Sequence, residues 1–237
     1  MKNLLFIVIL LITIIPLFVF AYLGFVPGLS HILSADKAQD LGITYTQLDL
    51  FQAELATQID RATLSPSSSK EFDFSVKTHR VNQTLTSSQV TAWINQRTWK
   101  HYPFSNLQIK FGQDNSAQVS GNFDIKKLIT YLQVIAGSSP NDSTKVSSHI
   151  SLSGNPAFYI NFTGDIENNQ VDLTLNQVKI GNLSIPRGLV PSYTLRLLQF
   201  IEKNTLSHPS VNFRELRPVD GQLKISAILP DIESVKQ

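Results

Sequence analysis

The chain begins with its longest hydrophobic block. Leu4 to Val26 reads LLFIVILLITIIPLFVFAYLGFV without a charged residue. About 20 apolar residues carry a helix across the hydrocarbon layer, so this block predicts one N-terminal transmembrane helix, with Pro16 tolerated as a local kink. Beyond it the hydrophobic positions take up shorter periods. Thr46, with Asp49 three residues on, caps a helix whose stripe is Leu48, Phe51, Leu55, Ile59 and Ala62. Residues 71–81 alternate, with Phe72, Phe74 and Val76 to one side, which predicts a half-buried strand. Thr86 and Gln89 form a capping box for a short helix through Trp93 and Ile94, and Leu85 is placed to staple onto Val90.

Leu107, Ile109 and Phe111 alternate, Gly112 to Asn115 turn, and Ala117, Val119 and Phe123 return as a hairpin. Asp124 caps a helix with the stripe Ile125, Leu128, Ile129, Leu132 and Ile135, stopped by Gly137. A polar loop over 137–145 and an edge segment, His149 to Leu152, follow. Phe158, Ile160 and Phe162 pair with Val171, Leu173 and Leu175. The phase of the second strand slips at Asn176-Gln177 and again at Gly181-Asn182, which predicts two bulges and a bent sheet. Pro191 opens a helix bearing Val190, Thr194, Leu197, Leu198 and Ile201. The last hairpin turns at Asp220-Gly221. Hairpins interspersed with helices predict α+β: a long curved antiparallel sheet with helices packed on one face, preceded by one N-terminal transmembrane helix. The expected divisions are an anchor over 1–26, a juxtamembrane linker over 27–45 and an extracytoplasmic α+β domain over 46–237.

Charge sets the expected orientation. Lys2 precedes the apolar block, and Asp36, Lys37 and Asp40 follow it without a positive excess. The N-terminus is therefore expected in the cytoplasm and the rest outside, in a cell membrane. A cleaved secretory signal is the rival reading; it favours a shorter core and a small-x-small site, and Ala21-Tyr22-Leu23-Gly24 matches that poorly. Only 16% of residues are charged, with a net charge of +2, which gives no electrostatic argument for nucleic acid. Cysteine is absent, which excludes disulfides, a thiol nucleophile and a thiolate metal site.

No pattern of catalysis or metal binding stands out. His31, His79, His101, His149 and His208 are scattered without metal-ligand spacing. Ser67-Ser68-Ser69-Lys70 matches S-x-x-K but lies in a serine-rich linker without the partner motifs. Asp165 and Glu167 flank a turn, where solvated carboxylates are ordinary. No cofactor is implied. The chemistry that does stand out is a basic and aromatic run, Trp93, Arg97, Trp99, Lys100, Tyr102 and Phe104, which suits contact with a membrane interface or an apolar ligand as well as plain burial.

The segments Leu85 to Asn95 (LTSSQVTAWIN) and Val178 to Pro186 (VKIGNLSIP) resemble the "L-T-x-x-x-V-x-x-x-I-N" and "V-x-I-G-x-L-x-I-P" segments of the YpmS-like family of membrane-anchored bacterial envelope proteins. The resemblance covers the chain from Phe72 onward. It implies a single-pass protein facing outward and carries over no catalytic residue. The expected function is a non-enzymatic, membrane-anchored domain that binds a lipid-like or apolar ligand or an envelope partner. A structural module of envelope assembly is the alternative, and an envelope hydrolase is a third reading.

Overall fold

The computed structural model describes residues 14–136, 154–206 and 208–237. The predicted polar loop and the edge segment from His149 lie outside the described residues, as do the first ten residues of the apolar block. The fold is α+β around a strongly curled antiparallel sheet. Numbered in chain order, its eight strands among the described residues are β3 (Thr78–Thr86), β4 (Phe104–Phe111), β5 (Ser116–Phe123), β6 (Ala157–Glu167), β7 (Gln170–Ile180), β8 (Leu183–Ser184), β9 (Asn212–Val219) and β10 (Gln222–Pro230). They run β3-β10-β9-β6-β5-β4, with β7 on β6 and β8 on β7. A second sheet orders β1 (Asp60–Thr63), β11 (Ile232–Val235) and β2 (Phe72–Phe74), with β1 parallel to β11. The helices are α1 (described over 14–22), α2 (Leu29–Ile32), α3 (Gln47–Thr57), α4 (Ser87–Asn95), α5 (Ile125–Ile135) and α6 (Val190–Ile201).

β6 is the pivot of the curl. Ala157 to Thr163 pair with β5, whereas Ile166 and Glu167 pair with Leu216 and Glu215 of β9. β7 occupies the opposite flank throughout. β5 and β9 therefore lie end to end, and their hairpin tips meet where Asp114 bridges Val219 and the Gly221 N–H donates to the Gly112 carbonyl at 3.0 Å. A strand that changes partner midway cannot stay flat. The predicted slip at Asn176-Gln177 is a register shift, with Leu175 opposite Phe162 and Gln177 opposite Asn161. The second predicted slip is instead a tight reversal: Gly181 takes φ 54° and β8 folds back on Lys179 and Ile180. In the last hairpin Asp220 and Gly221 both have positive φ, the turn that matches strand twist.

α4 forms where the capping box places it: Thr86 Oγ1 accepts from the Gln89 N–H, and Gln89 Oε1 accepts from the Thr86 N–H. Its apolar residues Val90 and Ile94 pack with Leu85, Ile109, Phe111 and Ala117. Its polar face does something the hydrophobic pattern does not reveal. β4 is the last strand of the sheet, and the N–H groups of Phe111, Ile109 and Leu107 donate at 3.0 Å each to Ser87 Oγ, Thr91 Oγ1 and Asn95 Oδ1. Four helical residues rise about 6 Å and two strand residues about 6.6 Å, so helical positions i, i+4 and i+8 match alternate strand positions. The helix thus covers an edge that unpaired backbone would otherwise leave open to association.

Two expectations are corrected. Leu48, Phe51 and Leu55 of α3 are more than half exposed. The buried side of that helix is Ala53 and Thr57, small residues that let it approach α4 closely. Residues 71–81 are not one strand: Phe72–Phe74 joins β11 and Thr78–Thr86 joins β10, with Val76 exposed at the break between sheets.

The chain after α1 is fastened to one end of the large sheet. The Asn182 N–H donates to the Tyr22 carbonyl at 3.0 Å, the Ala157 N–H to Ala35 at 3.0 Å, and Asn122 Nδ2 to Asp36 at 2.6 Å. Phe25 meets Phe123 edge to face at 6.4 Å. Gly24 has φ 93°, and a Cβ there would stand 2.6 Å from Pro156 Cα, so neither the turn nor the approach admits a side chain. Farther on, the Leu41 N–H donates to Gln108 Oε1 at 2.8 Å. No described helix is long and apolar enough to cross a membrane.

Candidate functional site

The basic and aromatic run connects α4 to β4 and crosses between the two sheets. Its members do not share one environment. Trp93 and Trp99 turn inward. The guanidinium of Arg97 lies 4.7 Å from the Trp93 ring centroid and that of Arg61 lies 5.3 Å from it. Arg61 also donates to the Trp93 and Gln96 carbonyls at 2.8 and 3.0 Å. Arg97 is paired with the carboxylate of Glu233 on β11, which is only 4% exposed. Burial, then the charge of Arg97, pulls the Arg61 guanidinium below its ordinary pKa. Trp99 is buried against Phe72 and Tyr131 at 5.9 and 5.3 Å. Lys100 points away from this cluster and binds Glu71 at 2.9 Å.

Tyr102 and Phe104 meet Tyr131 of α5 edge to face at 6.4 and 6.2 Å, and burial raises the pKa of the Tyr102 and Tyr131 phenols above the ordinary value. Beside them opens a cleft of about 730 Å³, lined by Arg97, Trp99, Tyr102 and Phe104, together with Tyr45, Asn95 and Lys127. The structure thus gathers four of the six run residues at one opening and leaves Trp93 and Lys100 outside its lining. Sequence reading did not assign Tyr45, Lys127 or Tyr131 to the site. The only signal for the last two is their place on the capped helix α5, where Asp124 accepts from the Lys126 and Lys127 N–H groups at 2.9 and 3.0 Å.

The histidines serve separate local bonds. His79 bridges Asp231 and the Thr57 carbonyl at 2.9 and 2.8 Å, His31 contacts Asp36 at 3.2 Å, and His101 contacts Glu71 at 3.4 Å. His149 lies outside the described residues. Among the described residues no group of three or more His, Cys, Asp or Glu is placed to hold a metal.

Glu71, His101, Lys100 and Lys236 form a charge cluster behind Trp99. For Glu71 burial opposes ionisation, but Lys100 and Lys236 outweigh it, so its pKa is lowered. For His101 burial, reinforced by Lys100, also lowers the pKa, against the pull of Glu71. A lowered carboxylate contributes stability above its unfolded pKa and loses it as the folded value is approached. A lowered histidine resists protonation in the fold, so stability falls as pH drops below about 6.5, the unfolded histidine value. Both signs agree. The midpoint of urea unfolding is expected to fall steadily from pH 7 to pH 4, and His101→Gln is expected to flatten the upper part of that slope.

Comparisons with protein-family models, with curated proteins and with solved structures find no match to this chain.

Proposed function

We propose that this protein is a non-enzymatic, single-pass membrane protein of the cell envelope whose domain lies outside the cytoplasm and holds a lipid-like ligand in the cleft of Arg97, Trp99, Tyr102, Phe104 and Lys127. The anchor is the uncharged block Leu4 to Val26, of which the part up to Phe20 crosses the membrane with the N-terminus in the cytoplasm while Tyr22 to Phe25 meet the domain. Apolar side chains from Ile14 to Phe20 stand exposed on α1, as expected of a surface that lipid covers. The resemblance to YpmS-like segments supports the same placement.

The observation that carries the ligand reading is the cleft. Its lining is largely polar, with Asn95, Asn106, Gln108 and the exposed Lys127 beside a smaller aromatic part from Tyr102 and Phe104. Arg97 is neutralised by Glu233, which leaves Lys127 as the cleft-lining cation without a carboxylate partner among the described residues. An amphiphile with an acidic head and an apolar tail satisfies both parts.

The test is native mass spectrometry and solvent extraction of the detergent-purified full chain, followed by titration with a fluorescent fatty acid. Saturable binding is expected, and Lys127→Glu is expected to weaken it roughly five- to tenfold, since one partly exposed charge contact contributes about 1 kcal/mol. No bound lipid and no saturable titration would refute the reading. The exposed stripe of Leu48, Phe51 and Leu55 favours a second reading, a module that binds another envelope protein. Crosslinking from α3 to one partner, with an empty cleft, would select it.

A further inference from the structure

We infer that the domain does not hang from its anchor but rests on the bilayer, with Ile32 and the run Leu183 to Leu189 seated in the interface around the emerging helix. The inference rests on α1 being a membrane segment. The β7–β8 reversal grips the end of that helix: Asn182 donates from its backbone to Tyr22 at 3.0 Å and from its side chain to the Leu33 carbonyl at 2.8 Å. A Cβ on Gly181 would come within 2.6 Å of Leu23 carbon and Tyr22 oxygen, so the contact is backbone against backbone. Two such bonds on one residue, with the Ala157–Ala35 bond beside them, leave little freedom for the body to swing about the anchor.

Exposed apolar side chains flank this grip on both segments, next to the exposed His31–Asp36 pair. Ile32, next to Leu33, is 77% exposed, and Leu183, next to Asn182, is 41% exposed. Leu189, at the other end of the run, is 51% exposed. Arg187 is the one charge in the run, and it too is exposed. The run is not loose, because the Ile185 N–H donates to Val178 and the Leu189 N–H to Pro186, at 2.8 and 2.9 Å. Exposed leucine and isoleucine held rigidly beside a lipid-covered helix match the composition of interfacial segments, in which apolar residues enter the headgroup boundary and a basic residue meets phosphate. The opposite end of the β6–β7 hairpin lies about 35 Å away along the strands, at ~3.3 Å per residue, and its tip is polar Asn168-Asn169.

The absence of cysteine makes the experiment clean. Phe18→Cys, Ile32→Cys, Leu183→Cys, Leu189→Cys and Gln170→Cys, each in the full chain, are labelled with a fluorophore and placed in phosphatidylcholine nanodiscs containing headgroup-level nitroxide lipid. Labels at 32, 183 and 189 are expected to be quenched about twofold or more over the label at 170, since interfacial residues sit ~5–10 Å into the boundary. All five positions are exposed, so little packing is lost on substitution. If Phe18→Cys is quenched but fewer than two of the labels at 32, 183 and 189 exceed the control, the seating is wrong and the anchor stands. If Phe18→Cys is not quenched, the anchor itself fails and the seating fails with it.

Discussion

Glu233→Ala is expected to lower the stability of the domain by about 3–5 kcal/mol, the usual cost of removing one partner of a buried ion pair. Glu233 is buried, and its carboxylate faces Arg97 in a setting that also holds Arg61 over Trp93. Without it two guanidinium groups share a poorly solvated region with no opposing carboxylate on β11. A typical domain is stable by only ~5–15 kcal/mol, so a large share is at risk. Trp93 and Trp99 are the only tryptophans and both lie at this junction, so fluorescence during urea unfolding reports it directly. The double variant Glu233→Met/Arg97→Met is expected to recover much of the loss, because apolar groups of similar volume often replace a buried pair at little cost. A single-variant cost under about 1 kcal/mol would show that water reaches the pair and that the junction is not held electrostatically.

Removing the helix-to-edge bonds is the second large effect. Thr91→Val keeps shape but leaves the Ile109 N–H without its acceptor, and Thr91 is fully buried. Asn95→Leu does the same at Leu107 and also releases the Leu107 carbonyl, to which Asn95 Nδ2 donates at 2.8 Å. Each orphaned buried group costs about 1–3 kcal/mol, so the double variant is expected to lose roughly 3–5 kcal/mol. By comparison Thr86→Ala, which removes only the helix cap, is expected to cost about 1 kcal/mol. Hydrogen exchange supplies the specific readout. The amides of Leu107 and Ile109 should exchange faster in the double variant, while those of β10 keep their protection. Equal acceleration across both strands would mean that the substitutions merely loosen the whole fold.

Both effects rest on contacts between separate elements, which no local pattern reveals. The capping boxes at Thr46 and Thr86, the Asp124 cap, the hairpins at Gly112 to Asn115 and Asp220-Gly221, and the slip at Asn176 could all be read from residues within a few positions of one another. Caps, turns and bulges are short-range chemistry, in which the partner is already adjacent in the chain. β11 was missed because Ile232 to Val235 carries no strong alternation and becomes a strand only between two partners from residues 60–74. The stripe of α3 misled for a related reason. Helical spacing identifies a face that could be buried, but Ala53 and Thr57 allowed the other face to pack more tightly.

The candidate site divides in the same way. Its aromatic and basic composition was visible as a run of residues. That Arg97 is silenced by Glu233, that Lys100 turns to Glu71 and that Tyr131 and Lys127 arrive from α5 was not, since the ion-pair partners lie 136 and 29 residues apart and Tyr131 and Lys127 lie at least 23 residues from the run.

By itself the sequence determined the local elements of this protein, their α+β order and the uncharged block at its start, because hydrophobic period and capping act over a few residues at a time. Tertiary structure alone decided which face of α3 is dry, which cations keep a free charge, how β6 divides itself between β5 and β9, and how α1 is gripped at Asn182. Those outcomes depend on pairings between distant parts of the chain, and no local pattern encodes the geometry that selects one pairing over another.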